Sequence, residues 1–148
     1  MSKFLVVAAN GKAGQKTVNE LIARDLDVTV AVRQANKTQA SQVIIKDLFD
    51  LTVSDVKNFD IVIDAFGAWA PEALQQHTTS LAHLAAILAP NARLVVVGGA
   101  GSLYLDASHM VALKDSAGFP DAFKPLASAM GEGLARLRTL DVDWNYIS

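Results

Sequence analysis

Six short apolar runs alternate with segments of helical periodicity along this chain, and no other feature narrows its fold so far. The runs cover residues 4–9, 27–33, 42–46, 60–65, 93–97 and 143–148. Residues 12–24 read as a helix with Val18, Leu21 and Ile22 on one stripe. A brief helical segment is expected near 53–58. Pro71 suits the first position of a long helix whose inward stripe is Leu74, Leu81, Leu84 and Leu88, and Ala89, Pro90 and Asn91 end it. After an irregular stretch, Pro120 opens another helix with Phe123, Leu126, Met130, Leu134 and Leu137 on one side. Strands apolar on both faces that alternate with helices imply a parallel sheet covered on both sides. Right-handed crossovers make the doubly wound order 3-2-1-4-5-6 the most economical topology, a three-layer α/β/α Rossmann arrangement.

Composition limits what such a fold would serve. The 148 residues are 51% hydrophobic and 19% charged, which suits one globular domain over 1–148 with a core that needs no staples. A formal net charge of −2 argues against a nucleic-acid or membrane-surface partner. Without cysteine there is no disulfide, thiolate metal site or cysteine nucleophile. No His, Asp or Glu group has ligand spacing, so no metal is expected. No run is long enough for a transmembrane helix and the chain begins directly in a strand, so the expectation is a cytoplasmic protein. The sequence ends on a strand with no capping helix, and a C-terminal portion is expected to be missing.

The segment FLVVAANGKAG at 4–14 is a strand, a glycine-punctuated turn and a helix start. Such a turn lets a pyrophosphate approach the backbone, where the N–H groups of the first helical turn and the positive end of the helix dipole meet it. In folds of this order ligands bind outside the carboxyl ends of the strands. The glycine turn, Arg33, Phe66–Gly67 and 98–102 all belong to that edge. The second strand ends in Arg33 with Lys37 close behind, and no acid follows to accept from a ribose 2′-hydroxyl. Arg can hold a 2′-phosphate bidentately, and Lys12 adds a cation in the turn, so NADP(H) is preferred over NAD(H). The alternative is that Arg33 and Lys37 are solvated loop cations.

These residues also carry a family resemblance. AANGKAG at 8–14 stands where a G-A-T-G-x-x-G motif would, and it is joined by KDLFDL at 46–51, DAFG at 64–67, VGGAGSLY at 97–104, KPLASA at 124–129 and DWNYIS at 143–148. The chain resembles the atypical short-chain dehydrogenase/reductase group of NAD(P)H-binding, NADH-flavin reductase-like proteins, related to biliverdin reductase B and the NmrA-like regulators. The resemblance implies Gly11, Lys12 and Gly14 at the phosphates and Arg33 at the 2′-phosphate, and the cofactor-binding set also takes in Ala8, Asn10, Ala13 and Lys37. It also implies Asp47 and Leu48 beside the adenine, Ala65, Phe66 and Gly67 along the ribose and nicotinamide, and Gly98, Gly99 and the residues up to Ser102 as a wall. Two departures stand out. Ala8 replaces the first glycine, and the family's pattern runs on past Ser148 into a segment that helps build the substrate side.

Ordinary members of the wider superfamily use a Ser with a Tyr-x-x-x-Lys pair, and that pair is missing here. Ser102 falls at the family serine and is the first catalytic candidate, with a turn serine as the alternative. Tyr104 is the second, with loop packing as its alternative, and His109 reads as a solvated loop histidine. Phe66 and Trp69 could stack on a planar acceptor or fill the core. Asp64 could touch cofactor or satisfy loop N–H groups, and His77 and His83 read as structural or surface residues. Hydride transfer to a flavin or quinone asks the protein mainly to orient two rings. The expected function is an NADP(H)-dependent oxidoreductase acting on such a small planar acceptor, with flavin as a possible substrate. The rivals are an NmrA-like dinucleotide-sensing regulator without turnover and a sugar-nucleotide or isomerase activity. The oligomeric state is left open.

Overall fold

The computed structural model describes residues 2–148. Six strands, β1 (Lys3–Val7), β2 (Asp27–Val32), β3 (Gln42–Ile45), β4 (Ile61–Asp64), β5 (Arg93–Val97) and β6 (Asp143–Ile147), pair side by side in the order 3-2-1-4-5-6. Every pairing is parallel, with Val6 level with Val30 and Ile63, and Val96 level with Asp64 and Tyr146. Four helices connect them: α1 (Lys12–Ala23), the single turn α2 (Val53–Val56), α3 (Gln76–Ile87) and α4 (Lys124–Leu137).

Strand alternation sorts the core into two layers. Val6, Val28, Val30, Val32 and Ile63 point to the face covered by Val18 and Leu21 of α1. Leu5, Val7, Val62, Leu94 and Val96 point to the other, against Leu81, Leu84 and Ile87 of α3 and Leu137 of α4. Leu84 and Leu137 are fully enclosed, each worth roughly 1.5–3 kcal/mol of apolar burial. Over β5 and β6 the α1 face is thinner: Val95 and Val97 are half-buried and Ile147 is exposed.

The helix starts and the ends of the first strand differ from the periodicity reading. β1 stops at Val7 because Ala8 turns into the left-handed region at φ 57°. Pro71 opens a single tight turn, Pro71–Ala73, rather than the long helix, and α3 begins at Gln76. Its buried face runs through His77, Ser80, Leu81, Leu84 and Ile87, so two polar side chains stand where Leu74 was expected. Pro120 likewise precedes only a tight turn. Pro125 sits in the first turn of α4, and Phe123 stays half-exposed while Ala129, Gly133, Leu134 and Leu137 are buried.

Candidate functional site

The turn after β1 leaves the start of α1 without a side-chain cap. Gly11 caps α1 in an extended conformation without a side-chain hydrogen bond, and the first turn carries no acid. The leading N–H groups of the helix therefore face outward without a side-chain acceptor, at the positive end of its dipole. A Cβ added at Gly14 would lie 2.6 Å from the Ala9 backbone, so this glycine is what lets α1 seat against β1. At Gly11 a Cβ would meet only the Ala8 carbonyl oxygen at 3.8 Å, leaving space on the cleft side.

Beside this turn, Asn10 holds the loop that follows β2. Its amide donates to the Ala35 carbonyl at 3.0 Å and its oxygen accepts from the Lys37 N–H at 2.8 Å. The loop bearing Arg33 and Lys37 is thereby tied to the glycine turn. Among the described residues Lys12, Arg33 and Lys37 make no ion pair, whereas Lys46 bonds Asp55 at 2.8 Å. That hydrogen bond from Lys46 is the main reason the Asp55 carboxyl lies below the ordinary range. Asp47 accepts from the Phe49 N–H at 2.9 Å and fixes the turn that presents Leu48 and Phe49.

A cleft of about 1070 Å³ runs along the carboxyl ends of the strands. One end joins the cations to an apolar bay of Ala31, Val32, Leu48 and Phe49. The other is lined by Phe66, Trp69, His77, Val97, Leu126 and Met130. His77 fastens this second end. Its Nε2 lies 2.9 Å from the Ala68 carbonyl, and its ring meets Phe66 edge-on at 5.7 Å. Trp69, at the rim of the cleft, is 74% exposed. Beneath Phe66, the Asp64 carboxyl is buried and accepts from the Phe66 N–H at 2.9 Å; burial pushes it up to about 7 against that hydrogen bond.

Fourteen of the fifteen residues read from the sequence as cofactor-binding line this cleft: Ala8, Asn10, Gly11, Lys12, Ala13, Arg33, Lys37, Asp47, Leu48, Ala65, Phe66, Gly67, Gly98 and Gly99. Gly14 does not, being packed on Ala9. Ser102 and Tyr104 also lie off the cleft lining: Ser102 closes a tight turn at 100–102, and the Tyr104 ring stacks on His109 at 4.5 Å. Gly98 has a second duty, because a Cβ there would overlap the Tyr146 ring, whose hydroxyl accepts from the Gly99 N–H at 3.2 Å. The sequence reading did not single out Lys46, Phe49, Gln76 or the cleft-facing role of His77, Leu126 and Met130. Of these, only Lys46 had a local signal, its place at the carboxyl end of β3.

An uncapped helix start behind a glycine turn, unpaired cations one strand away and an apolar far end define a Rossmann-type dinucleotide-binding protein. Comparison with known proteins agrees. The chain belongs to the NAD(P)H-binding family, whose model matches residues 8–148. It is 42% identical to the uncharacterized protein YwnB of Bacillus subtilis (strain 168), over 99% of this chain and 70% of that one. It is similar to the crystal structure of a candidate NADH-flavin reductase from Streptococcus pneumoniae TIGR4, with a TM-score of 0.95 and 45% identity over 99% of this chain and 70% of that one. A short-chain dehydrogenase/reductase superfamily protein from Agrobacterium tumefaciens with bound NAD shares the fold, with a TM-score of 0.71 and 16% identity over 97% of this chain and 48% of that one. Among the described residues no helix is long and apolar enough to cross a membrane.

Proposed function

We propose that this protein is an NADP(H)-dependent reductase that passes a hydride to a planar acceptor such as a flavin or quinone. The observation that carries this reading is the division of the cleft into a cationic end and an aromatic, apolar end. The free N–H groups of α1 receive the pyrophosphate, and Arg33 with Lys37 receives the 2′-phosphate. When bound, the nicotinamide supplies the hydride. Phe66, Leu126 and Met130 exclude water from the apolar end, and the exposed face of Trp69 offers a stacking surface for the second ring. The relative from Streptococcus pneumoniae, described as a candidate NADH-flavin reductase, supports this class of reaction. Its name specifies NADH, so the preference for the phosphorylated cofactor rests on Arg33 and Lys37.

One observation favours the regulatory alternative: neither Ser102 nor Tyr104 lines the cleft, so no hydroxyl proton donor from the loop faces it. Following NADPH and NADH oxidation with FMN, riboflavin and quinones as acceptors separates the two. Turnover with at least one acceptor, faster with NADPH, is expected. Tight dinucleotide binding with no oxidation by any acceptor would overturn the reductase reading in favour of a sensor.

A further inference from the structure

Under the apolar end of the cleft lies a second cavity of about 10 Å³, the room one water molecule takes. Three buried polar side chains line it, Asp64, His77 and Ser80. Asp64 is 3% exposed, and the Phe66 N–H is the one donor to its carboxyl among the described residues. Ser80, on the sheet-facing side of α3, is 1% exposed and its hydroxyl oxygen has no hydrogen-bond partner among the described residues. A hydroxyl enclosed without a partner is costly, and a water held between it and the carboxyl would satisfy both. The cavity shares Phe66, His77, Val97, Gly98 and Met130 with the cleft, so a single layer of residues separates the two spaces.

We propose that Asp64, Ser80 and the water-sized cavity they line form a buried proton-holding site whose charge is coupled to the charge of the ring bound at the apolar end of the cleft. This rests on the reading that the nicotinamide occupies that end. The oxidised ring is a cation and the reduced ring is neutral. In a poorly screened interior a carboxylate one residue layer away attracts the cation and is indifferent to the neutral ring. Binding of the oxidised dinucleotide therefore breaks the Asp64 O–H bond and releases the proton to solvent, whereas the reduced form leaves the acid protonated. Burial supports the assignment, since it pushes the Asp64 carboxyl up to about 7, where small changes in neighbouring charge move protons at neutral pH. Two other titratable groups face the cavity: His77 from α3, whose Nε2 is engaged by the Ala68 backbone, and Tyr146 from β6, whose hydroxyl accepts from the Gly99 N–H. The side chains that β5 and α4 bring to it, Val96, Val97 and Met130, carry no charge.

Dissociation constants of NADP⁺ and NADPH, measured across neutral pH by titration calorimetry, test the coupling. Their ratio cancels the 2′-phosphate, which both forms share. In the wild type the NADP⁺/NADPH ratio of dissociation constants should fall about tenfold as pH rises, as a difference of one unit in the Asp64 pKa between the two complexes requires. Asp64→Asn should flatten it. Ser80→Ala should keep the fall but move its midpoint to higher pH, because the water between the two side chains loses the hydroxyl that helps hold it against the carboxylate. A slope that persists in Asp64→Asn would overturn the proposal, as would a flat ratio in a wild type that binds both forms. Carbon-13 NMR of labelled aspartates in the free protein reads the proton site directly. One carboxyl titrating near neutrality and lost in Asp64→Asn supports it; ordinary titration of every aspartate refutes it. A wild type that binds neither dinucleotide would overturn the function proposed for the cleft and the coupling, leaving the free-protein titration to decide the proton site by itself.

Discussion

Asp64 makes the stability of this fold depend on pH with a sign opposite to that of most carboxylates. The group sits at about 7 in the folded protein against 3.8 when solvated, because burial disfavours its charge more than the Phe66 N–H stabilises it. A folded value raised above the unfolded one means that the native state holds its proton longer. The contribution is fully present below about pH 4 and is lost as pH rises through about 7. With about 1.4 kcal/mol per pKa unit, the span amounts to roughly 4 kcal/mol of stability. Asp64→Asn removes the charge at every pH and keeps an oxygen to accept from Phe66. Its stability relative to the wild type should therefore climb by several kcal/mol between acid and mildly alkaline pH. Urea unfolding followed by circular dichroism on both proteins gives that difference, in which titrations at distant sites cancel. A difference that stays flat across the range, or that falls as pH rises, would refute the reasoning.

Three further substitutions probe the cleft. Arg33→Ala should weaken NADPH about tenfold to a hundredfold, the loss expected for a charge-assisted phosphate contact of about 1.5–3 kcal/mol, while NADH changes little; equal losses in a binding titration would contradict the 2′-phosphate assignment. Gly14→Ala pushes a methyl group to 2.6 Å from backbone atoms of Ala9 that cannot rotate away, so overpacking of about 1–3 kcal/mol should exceed the helix-propensity gain and lower the urea midpoint. An unchanged midpoint would mean that α1 is free to slide on β1. Ala8→Gly relieves a left-handed backbone at φ 57° worth roughly 1–2 kcal/mol but restores about 0.4–1 kcal/mol of freedom to the unfolded chain, leaving stability level or slightly raised. Calorimetry should show dinucleotide affinity rising as the methyl group leaves the phosphate side, and a loss of affinity would show that Ala8 helps to hold the ligand.

The strand order was legible because each apolar run is short and bounded by turn residues, and right-handed parallel crossovers leave few arrangements. The cationic end of the cleft was legible for a related reason. Its parts, AANGKAG and the loop after β2, act through their own backbone or through a strand end whose position the topology dictates. The helix starts were not. Proline fixes φ at the head of a turn whether or not a helix follows, so Pro71 and Pro120 gave the same local signal as a true helix start. Ala8 misled in a milder way: alanine next to valines extends a strand pattern, and nothing in its side chain signals the left-handed turn it takes at φ 57°.

Phe66, Trp69 and Gly98 of the apolar end were singled out from the sequence, but His77, Leu126 and Met130 were not, because these acquire their roles from contacts between elements distant in sequence. Leu126 and Met130 form a helical stripe that reads as core, and they border the cleft because α4 packs on α3 and returns to β6. His77 and Ser80 interrupt an otherwise apolar helix face, and polar residues on a buried stripe persist where something on the opposite wall uses them. That wall is Asp64, the one acid among the buried strand residues, and it lies in register with Val96 and Tyr146 on the same sheet face. Each substitution looked minor alone: an acid at a strand end, a serine on a helix, a phenol on an edge strand. Brought together they line one water-sized space beneath the cleft, where replacing any of the three by an apolar group of equal size would leave packing almost unchanged. The Phe66 and Gly99 N–H groups use the polarity of Asp64 and Tyr146, and the proposed proton site beside Asp64 gives a use to the Ser80 hydroxyl, which has no partner among the described residues.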